Sequence, residues 1–280
     1  LTAVTAVLTA GAIVGTTVAF HYTTTVNNYL DADTYKIIKG NSDEDTEYFK
    51  SDFTSDEERE SYEAELCAQV EAEGAALLKN DNNALPLASG AKVSLFGHGS
   101  VDLMYGGTGS GSVDTSKAPN FKQALEDQGI QVNSTLWDLY SSDDMMKNYS
   151  RITPAAISDT LEANTQYAVN EAPWSKLSSA ESSFADYGDA AIVVFSRSGG
   201  EGADLPSGEN GTNDSWIKGQ EGDGNYLALS AEEKELLQNL KTLKDNGTFK
   251  KVIVLINSSN AIEMDFLNPE ICGEDYGIDS

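Results

Sequence analysis

The chain has 280 residues, which is enough for one large domain or two small ones and excludes a disulfide-stapled mini-protein. It holds 18 Lys and Arg residues against 45 Asp and Glu residues, a formal charge of −27, and 40% of its residues are apolar. The apolar content excludes disorder of the whole chain, and the acid excess argues against nucleic acid and anionic lipid surfaces as partners. Neutral ligands, sugars among them, remain.

The first segment of the chain is apolar. Residues Leu1 to Phe20 include no charged side chain, and a helix that rises about 1.5 Å per residue over this length crosses the roughly 30 Å of bilayer hydrocarbon. We therefore predict a transmembrane helix within residues 1–22. A cleaved signal peptide and a buried soluble helix are the alternatives.

An acidic linker is predicted over residues 23–60. The acidic stretch extends from Asn41 to Glu65, where Lys50 and Arg59 are the basic residues. Because positive charge is retained in the cytoplasm, this pattern favours an extracytoplasmic position for the rest of the chain, which is secreted if the first segment is cleaved. A solvated helix face explains the same acids equally well.

The remaining residues, 61–280, are predicted to form one domain that begins with an amphipathic helix. Helical spacing from Ser61 onward places several apolar side chains near one face. They are Leu66, Val70, Ala75, Leu77 and Leu78.

Short strands and helices then alternate. A strand at Val93–Phe96 is followed by a helix at Phe121–Gln128, which ends at Gly129, and by a strand at Ile130–Val132. The run Asp189–Ser196 is apolar without alternation, which is typical of a strand covered on both faces.

The pattern continues with a helix whose start is marked by Ser230 and Glu233, the two partners of a capping box. A second buried strand is predicted at Lys251–Ile256. Together these elements predict an α/β fold with a mostly parallel sheet sandwiched by helices. Because ligands of such sheets bind beyond the carboxyl ends of the strands, the loops after Phe96, Phe195 and Ile256 are the candidates for function.

The loop after the first of these strands is rich in glycine. Residues Gly106 to Ser112 read GGTGSGS and lack the lysine of a phosphate loop, while the third glycine of a dinucleotide motif that starts at Gly97 would fall on Asp102. Glycines let a backbone approach a ligand closely, and hydroxyls supply neutral hydrogen bonds. We predict that Gly107 and Ser110 bind substrate in this loop; a flexible surface loop is the alternative.

The loop after the second strand carries an acid between glycines. Glu201 follows the buried strand closely and has Gly200 and Gly202 as neighbours, so that access to its carboxyl group is open. A carboxyl group that is kept partly neutral can protonate a glycosidic oxygen. Glu201 is therefore a candidate general acid, with a solvated loop acid as the alternative.

Other catalytic patterns are missing from the sequence. The chain contains no GxSxG, HExxH, calcium-loop or CxxC motif, and its two cysteines, Cys67 and Cys272, are far apart. Of its two histidines only His98 follows a predicted strand, where a structural role is expected. We predict no Ser-His-Asp triad, no metal and no cofactor.

Several stretches, taken in chain order, carry a resemblance to a known family. They are Glu73–Asn80 with Ala84–Leu87, Gly106–Val113, Ser198–Asp204 and Leu255–Glu263. Together they resemble the α/β sandwich domain of glycoside hydrolase family 3, which contains β-glucosidases and related exo-acting β-glycosidases. The resemblance implies that Glu201 is the general acid/base and that Asp204 contacts substrate. Ala203 and Leu205 replace the family's tyrosine and arginine in this loop.

The resemblance also implies a mechanism. Enzymes of this family are retaining, with an Asp nucleophile on a separate (β/α)8 barrel, and a barrel needs about 250 residues. Because the chain begins at Leu1, without Met, and leaves too little length before the sandwich, we expect a piece of a longer protein with the order anchor, sandwich, barrel.

The sequence therefore predicts part of a membrane-anchored exo-β-glycosidase of the β-glucosidase type, acting on terminal β-linked sugars of an oligosaccharide or β-glycoside. The piece alone is expected to be inactive. The alternative is a non-catalytic carbohydrate-binding or cell-surface protein with a degenerate sandwich domain.

Overall fold

The computed structural model describes residues 2–29, 51–153, 167–201, 205 and 225–280, which belong to two compact units, Leu1–Ala75 and Ala76–Ser280. The described helices are α1 (Thr2–His21), α2 (Thr23–Tyr29), α3 (Asp56–Gly74), α4 (Phe121–Asp127), α5 (Ser134–Tyr140), α6 (Asp143–Tyr149), α7 (Ala231–Asp245) and α8 (Pro269–Cys272). The described strands are β1 (Lys92–Phe96), β2 (Gln131–Val132), β3 (Ala190–Phe195) and β4 (Val252–Ile256). Short 3-10 turns lie at Asp81–Asn83, His98–Ser100, Gly109–Gly111, Trp174–Leu177, Glu181–Ser183, Ala185–Tyr187 and Asp265–Leu267.

Helix α1 is long and apolar enough to cross a membrane, and none of its residues is buried. Its threonines bond back to the helix, because the hydroxyls of Thr9 and Thr17 donate to the carbonyls of Thr5 and Ile13 at 2.9 and 2.8 Å. An apolar helix at this position is therefore confirmed. A signal sequence near the N-terminus can have the same length and apolar composition, so the transmembrane role stays a prediction.

Helix α3 differs from the prediction in its bounds. It begins at Asp56, where the Ser55 hydroxyl accepts the N–H of Glu58 at 3.2 Å, and it ends at Gly74. The residues predicted at its C-terminal end, among them Leu77, therefore lie outside the helix. No residue of α3 is buried, and Val70 is 62% exposed. The predicted helix is thus present but ends earlier than predicted, and its apolar side chains Leu66 and Val70 are exposed.

The second unit is built around a parallel sheet. Within the described residues its strand order is β2-β1-β3-β4, and each neighbouring pair is parallel. Val93 of β1 lies opposite Ala190 of β3, and Ala191 lies opposite Val252 of β4. The predicted α/β class with a parallel sheet is confirmed.

Apolar side chains cover both faces of this sheet. Every residue of β3 is buried, and its side chains alternate between two clusters. Val193 and Phe195 pack on the side that also holds Leu236 and Leu240 of α7. Ile192 packs on the opposite side. The uninterrupted apolar run in the sequence therefore reflects a central strand without a solvent face.

Helix α7 begins where the predicted capping box of Ser230 and Glu233 places its start. The Ser230 hydroxyl accepts the N–H of Glu233 at 3.1 Å, and the Glu233 carboxylate accepts the N–H of Ser230 at 2.8 Å. Gly247, with φ +86°, follows the C-terminal end.

Strand β4 is only partly buried, in contrast to the prediction. Val252 and Ile253 are buried, whereas Leu255 is 39% exposed. The reason is its position, because β4 is the last strand in the described sheet order. The main chain at residues 279 and 280 bonds to its first half: the N–H of Asp279 donates to the carbonyl of Val252 at 2.8 Å.

Candidate functional site

The order of the strands brings two glycine-rich loops together. The chain passes from β1 outward to β2 and then returns to place β3 on the other side of β1. The carboxyl ends of β1 and β3 therefore flank the point at which the strand order reverses, where ligands of open parallel sheets bind. The loop Gly106–Ser112 follows β1, and the loop Ser198–Glu201 follows β3.

Glu201 is held by the first of these loops. Its side-chain Oε2 accepts the backbone N–H of Ser110 at 2.7 Å, and its backbone carbonyl accepts the Thr108 hydroxyl at 3.0 Å. A bond between two hydroxyls, 2.9 Å long, links Thr108 in turn to the buried Tyr167. The acid that the sequence singles out thus lies against the glycine-rich loop, with its side chain exposed.

Two glycines make this contact possible. Gly109 has φ +65°, and a Cβ there would lie 2.6 Å from the Cβ of Glu201. A Cβ on Gly200 would lie 2.6 Å from the Thr108 hydroxyl oxygen. Any larger residue at these two positions would push the loops apart, so the glycines serve close approach of one loop to the other.

The surroundings of Glu201 favour its charged form. Hydrogen bonds from the Ser110 hydroxyl and from the Ser110 backbone amide lower the pKa of the Glu201 carboxyl group. In this chain Glu201 is therefore an ionised carboxylate at neutral pH. A general acid must carry a proton, so further groups have to raise its pKa for that role.

The loop after β4 makes hydrogen bonds to the segments that follow β1 and β3. The Asn257 side chain accepts the N–H of Met104 and donates to the Met104 carbonyl at 3.1 Å. The Ser259 hydroxyl accepts the N–H of Gly199 at 3.1 Å and donates to the Gly199 carbonyl at 2.9 Å. The three strand-end loops that the sequence marked as candidates for function therefore meet at one end of the sheet.

A cavity of about 450 Å³ lies beside this junction. Residues of its wall include Asp102, Gly107, Thr108, Arg151 and Ser198. Arg151 donates to a carboxylate oxygen of Asp102 at 3.0 Å and to the Asp102 carbonyl at 2.7 Å, so the two opposite charges offset each other. The cavity therefore presents hydroxyls and a paired charge, a surface that suits a neutral, hydroxylated ligand.

A family comparison supplies the identity of this domain. The family model of the glycosyl hydrolase family 3 C-terminal domain matches residues 75–273. The chain belongs to this family.

Two curated β-glucosidases are also similar to the chain. A β-glucosidase A of Butyrivibrio fibrisolvens is 31% identical over an alignment of 216 residues that covers 71% of this chain and 23% of that protein. A β-glucosidase of Ruminococcus albus is 30% identical over 207 residues, 73% of this chain and 18% of that protein. The chain thus spans about a fifth of the length of the curated relatives it matches.

Solved β-glucosidase structures share the fold. A β-glucosidase from Paenibacillus barengoltzii matches with a TM-score of 0.53 and 27% identity, over 75% of this chain and 20% of that one. β-Glucosidase 3B from Thermotoga neapolitana, solved in complex with glucose, matches with a TM-score of 0.52 and 25% identity, over 74% of this chain and 26% of that one.

The site residues expected of a family 3 domain can now be located. Glu201 and Ser110 are in contact, and Gly107 lines the cavity. Ser110 bonds to Glu201, and whether it also binds substrate stays a prediction, as does that role for Gly107. Asp204 lies outside the described residues.

Both ring nitrogens of His98 have hydrogen-bond partners within this family 3 domain. Its Nδ1 lies 3.1 Å from Oε2 of the buried Glu171, and its Nε2 accepts the backbone N–H of Arg151 at 3.1 Å. Because Nε2 accepts, the proton of the neutral ring is assigned to Nδ1 and is donated to Glu171. The ring therefore joins two segments of the core.

Sequence reasoning missed the buried polar residues under the loops. Arg197 and Glu233 form an ion pair of 2.7 Å whose side chains are 0% and 1% exposed. The position of Arg197, a charged residue directly after an apolar run, was a signal in the sequence. Its partner Glu233, however, lies 36 positions away in the chain. No pattern in the sequence pointed to Tyr167.

Proposed function

We propose that this chain is the part of a retaining exo-β-glycosidase of the β-glucosidase type that supplies the general acid/base, and that Glu201 is that residue. The observation that carries the proposal is the position of Glu201 in a family 3 domain. It follows β3 at the reversal of strand order and rests on the glycine-rich loop beside a hydroxyl-lined cavity. The names of the curated relatives support terminal β-glucosides as the substrate class.

In the proposed reaction the Glu201 carboxyl group acts twice. It first gives its proton to the glycosidic oxygen, while an aspartate on a barrel domain outside this chain attacks the anomeric carbon and forms a glycosyl-enzyme. The resulting Glu201 carboxylate then takes a proton from water, whose oxygen attacks the same carbon and releases the sugar with retained configuration. The two carboxyl groups must lie about 5–5.5 Å apart across the sugar.

The Glu201 carboxyl group must carry a proton for the first step, so its pKa has to be higher than Ser110 leaves it. A bound sugar would desolvate Glu201, and the ionised aspartate nearby would disfavour a second negative charge, and both effects raise a carboxyl pKa. We therefore propose that Glu201 becomes an acid only when the missing domain and the substrate are in place, and that the chain alone has no turnover.

We further propose that the protein is anchored in a membrane by α1, with the family 3 domain outside the cytoplasm. The length and apolar composition of α1 support the anchor. If the segment is cleaved instead, the same domain is secreted.

The full-length gene product with Glu201→Gln tests the proposal. Loss of general acid/base catalysis should lower kcat on an aryl β-glucoside by about 10²–10⁴-fold, and azide should restore turnover by attacking the glycosyl-enzyme without a base. Glu270→Gln, an exposed acid at the start of α8, is the matched control and should behave as wild type. Unchanged turnover in Glu201→Gln would exclude the assigned role.

A second candidate is a non-catalytic carbohydrate-binding protein that keeps the cavity and has lost acid/base chemistry. The lowered pKa of Glu201 favours it, since an ionised carboxylate can accept sugar hydroxyls but cannot protonate a leaving group. Sugar binding by a full-length protein that has no turnover on any aryl β-glycoside would decide for this candidate.

A further inference from the structure

The base of the loop that carries Glu201 contains a buried charged side chain. Arg197 is 0% exposed and lies directly after Ser196, between strand β3 and the loop Ser198–Glu201. A buried ion pair is weak evidence for stability, because apolar residues of similar volume often stabilise a core as well or better. A fully buried arginine at this position therefore calls for a geometric explanation.

All five N–H donors of Arg197 are used. Two of them bind the two oxygens of the Glu233 carboxylate in a bidentate fork, at 2.9 Å from Nη1 and 2.7 Å from Nη2. The other three donate to the carbonyls of Tyr226 at 2.7 Å, Ser196 at 2.9 Å and Ala228 at 2.6 Å. The guanidinium group thus joins the end of β3 to the segment that leads into α7.

The Tyr226 side chain also bonds to the segment that follows β3. Its hydroxyl accepts the N–H of Ser198 at 2.8 Å and donates to the Ser198 carbonyl at 2.9 Å. Burial raises the pKa of Tyr226 to about 12, so the hydroxyl stays protonated and keeps its donor. The Arg197 guanidinium carbon lies 5.8 Å from the centre of the Tyr226 ring, which adds a cation–π contact.

We propose that Arg197 and Tyr226 are positioning residues that hold the first residue of the Glu201 loop and thereby set where the Glu201 carboxyl group stands during the reaction. This inference rests on the proposed function. The fork of Arg197 is rigid and planar, so it fixes the direction in which the chain leaves β3. Tyr226 clamps both backbone groups of Ser198, three residues before Glu201. A small displacement at this base is carried to the carboxyl group, where misplacement of about 1 Å can cost about 10²-fold in rate.

The test uses Tyr226→Phe in the full-length gene product, with Tyr140→Phe as the matched control. Both tyrosines are buried, and both hydroxyls accept the amide of a residue after a strand, but Tyr140 bonds to Gly97 after β1, at 3.1 Å. Hydrogen–deuterium exchange of residues 196–201 and the separate values of kcat and KM are measured.

We expect Tyr226→Phe to speed exchange in residues 196–201 and to lower kcat about tenfold with KM nearly unchanged, and Tyr140→Phe to do neither. Arg197→Lys, which keeps the charge but not the fork, should shift both readouts in the same direction. Equal exchange and equal kcat in Tyr226→Phe and Tyr140→Phe would overturn the inference. If Glu201→Gln leaves turnover unchanged, the proposed function fails instead, and exchange alone still decides whether these residues hold the loop.

Discussion

The carboxylate of Glu201 accepts the backbone N–H of Ser110 at 2.7 Å, although the two residues are 91 positions apart in the chain. The contact joins the loops after β1 and β3, and hydrogen bonds from the Ser110 hydroxyl and amide lower the pKa of the Glu201 carboxyl group. The same contact therefore places the candidate acid and disfavours the protonated form that the acid step needs.

Removal of the Ser110 hydroxyl should raise the pKa of Glu201. In Ser110→Ala the backbone amide remains, so the pKa rises toward its ordinary value without reaching it. Because the acid step needs a protonated carboxyl group, the basic limb of the kcat/KM profile of the full-length gene product should move to higher pH. Stability that depends on the ionised carboxylate is present above its ordinary pKa and lost as pH falls through the lowered one. In the variant this contribution is smaller, and its loss is complete at a higher pH.

Carbon-13 NMR titration of the glutamate carboxyl groups measures this shift directly. Ser116→Ala serves as the control. Ser116 lowers the pKa of Asp114 by the equivalent contact, so this substitution should raise the pKa of Asp114 and leave that of Glu201 unchanged. A Glu201 titration that is identical in Ser110→Ala and wild type would contradict the assignment.

Gly109→Ala should separate the two loops. The residue has φ +65°, which costs an L-residue about 1–2 kcal/mol, and its Cβ would lie 2.6 Å from the Cβ of Glu201. We expect a lower kcat in the full-length gene product and loss of the downward shift in the Glu201 pKa. Gly111→Ala is the control, since a Cβ there meets no described atom within 4 Å. Equal kcat values in the two variants would mean that the contact does not matter for turnover.

Glu233→Gln should destabilise the second unit strongly. It leaves the charge of Arg197 at 0% exposure without a counter-charge, which costs about 3 kcal/mol in the free energy of unfolding measured by urea denaturation. Asp245→Asn removes an exposed partner of Lys241 in the same helix α7 and should leave the midpoint unchanged. Similar midpoints for both variants would show that the buried pair contributes little.

Helix α1 should retain the gene product in the membrane fraction through a carbonate wash. A charge at its centre, in Val14→Arg, costs about 2.5–3.5 kcal/mol of insertion free energy and should reduce this retention. Thr23→Arg, beyond the end of α1, is the control and should not change it. A mature protein whose N-terminus begins after Phe20 by mass spectrometry would replace the anchor with a cleaved signal.

The sequence predicted well those features that short stretches of chain decide. The capping box at Ser230 and Glu233, the helix stop at Gly129 and the buried run of β3 each follow from periodicity or from hydrogen bonds within a few residues. It failed where burial depends on a neighbouring strand: Leu255 belongs to a strand that the sequence predicts to be buried, yet it is exposed because β4 is the last strand in the described sheet order.

The candidate site divides in the same way. By itself the sequence determined the parallel α/β sheet and the two glycine-rich loops, including Glu201, because alternating apolar strands and helices and a glycine-flanked acid are local patterns. Only the tertiary structure decided that Ser110 is the partner of Glu201 and that Arg197 pairs with Glu233 beneath the loop. The physical reason is that these contacts depend on β1 lying beside β3 and on α7 packing against the sheet. The spacing of residues along the chain does not encode these relations.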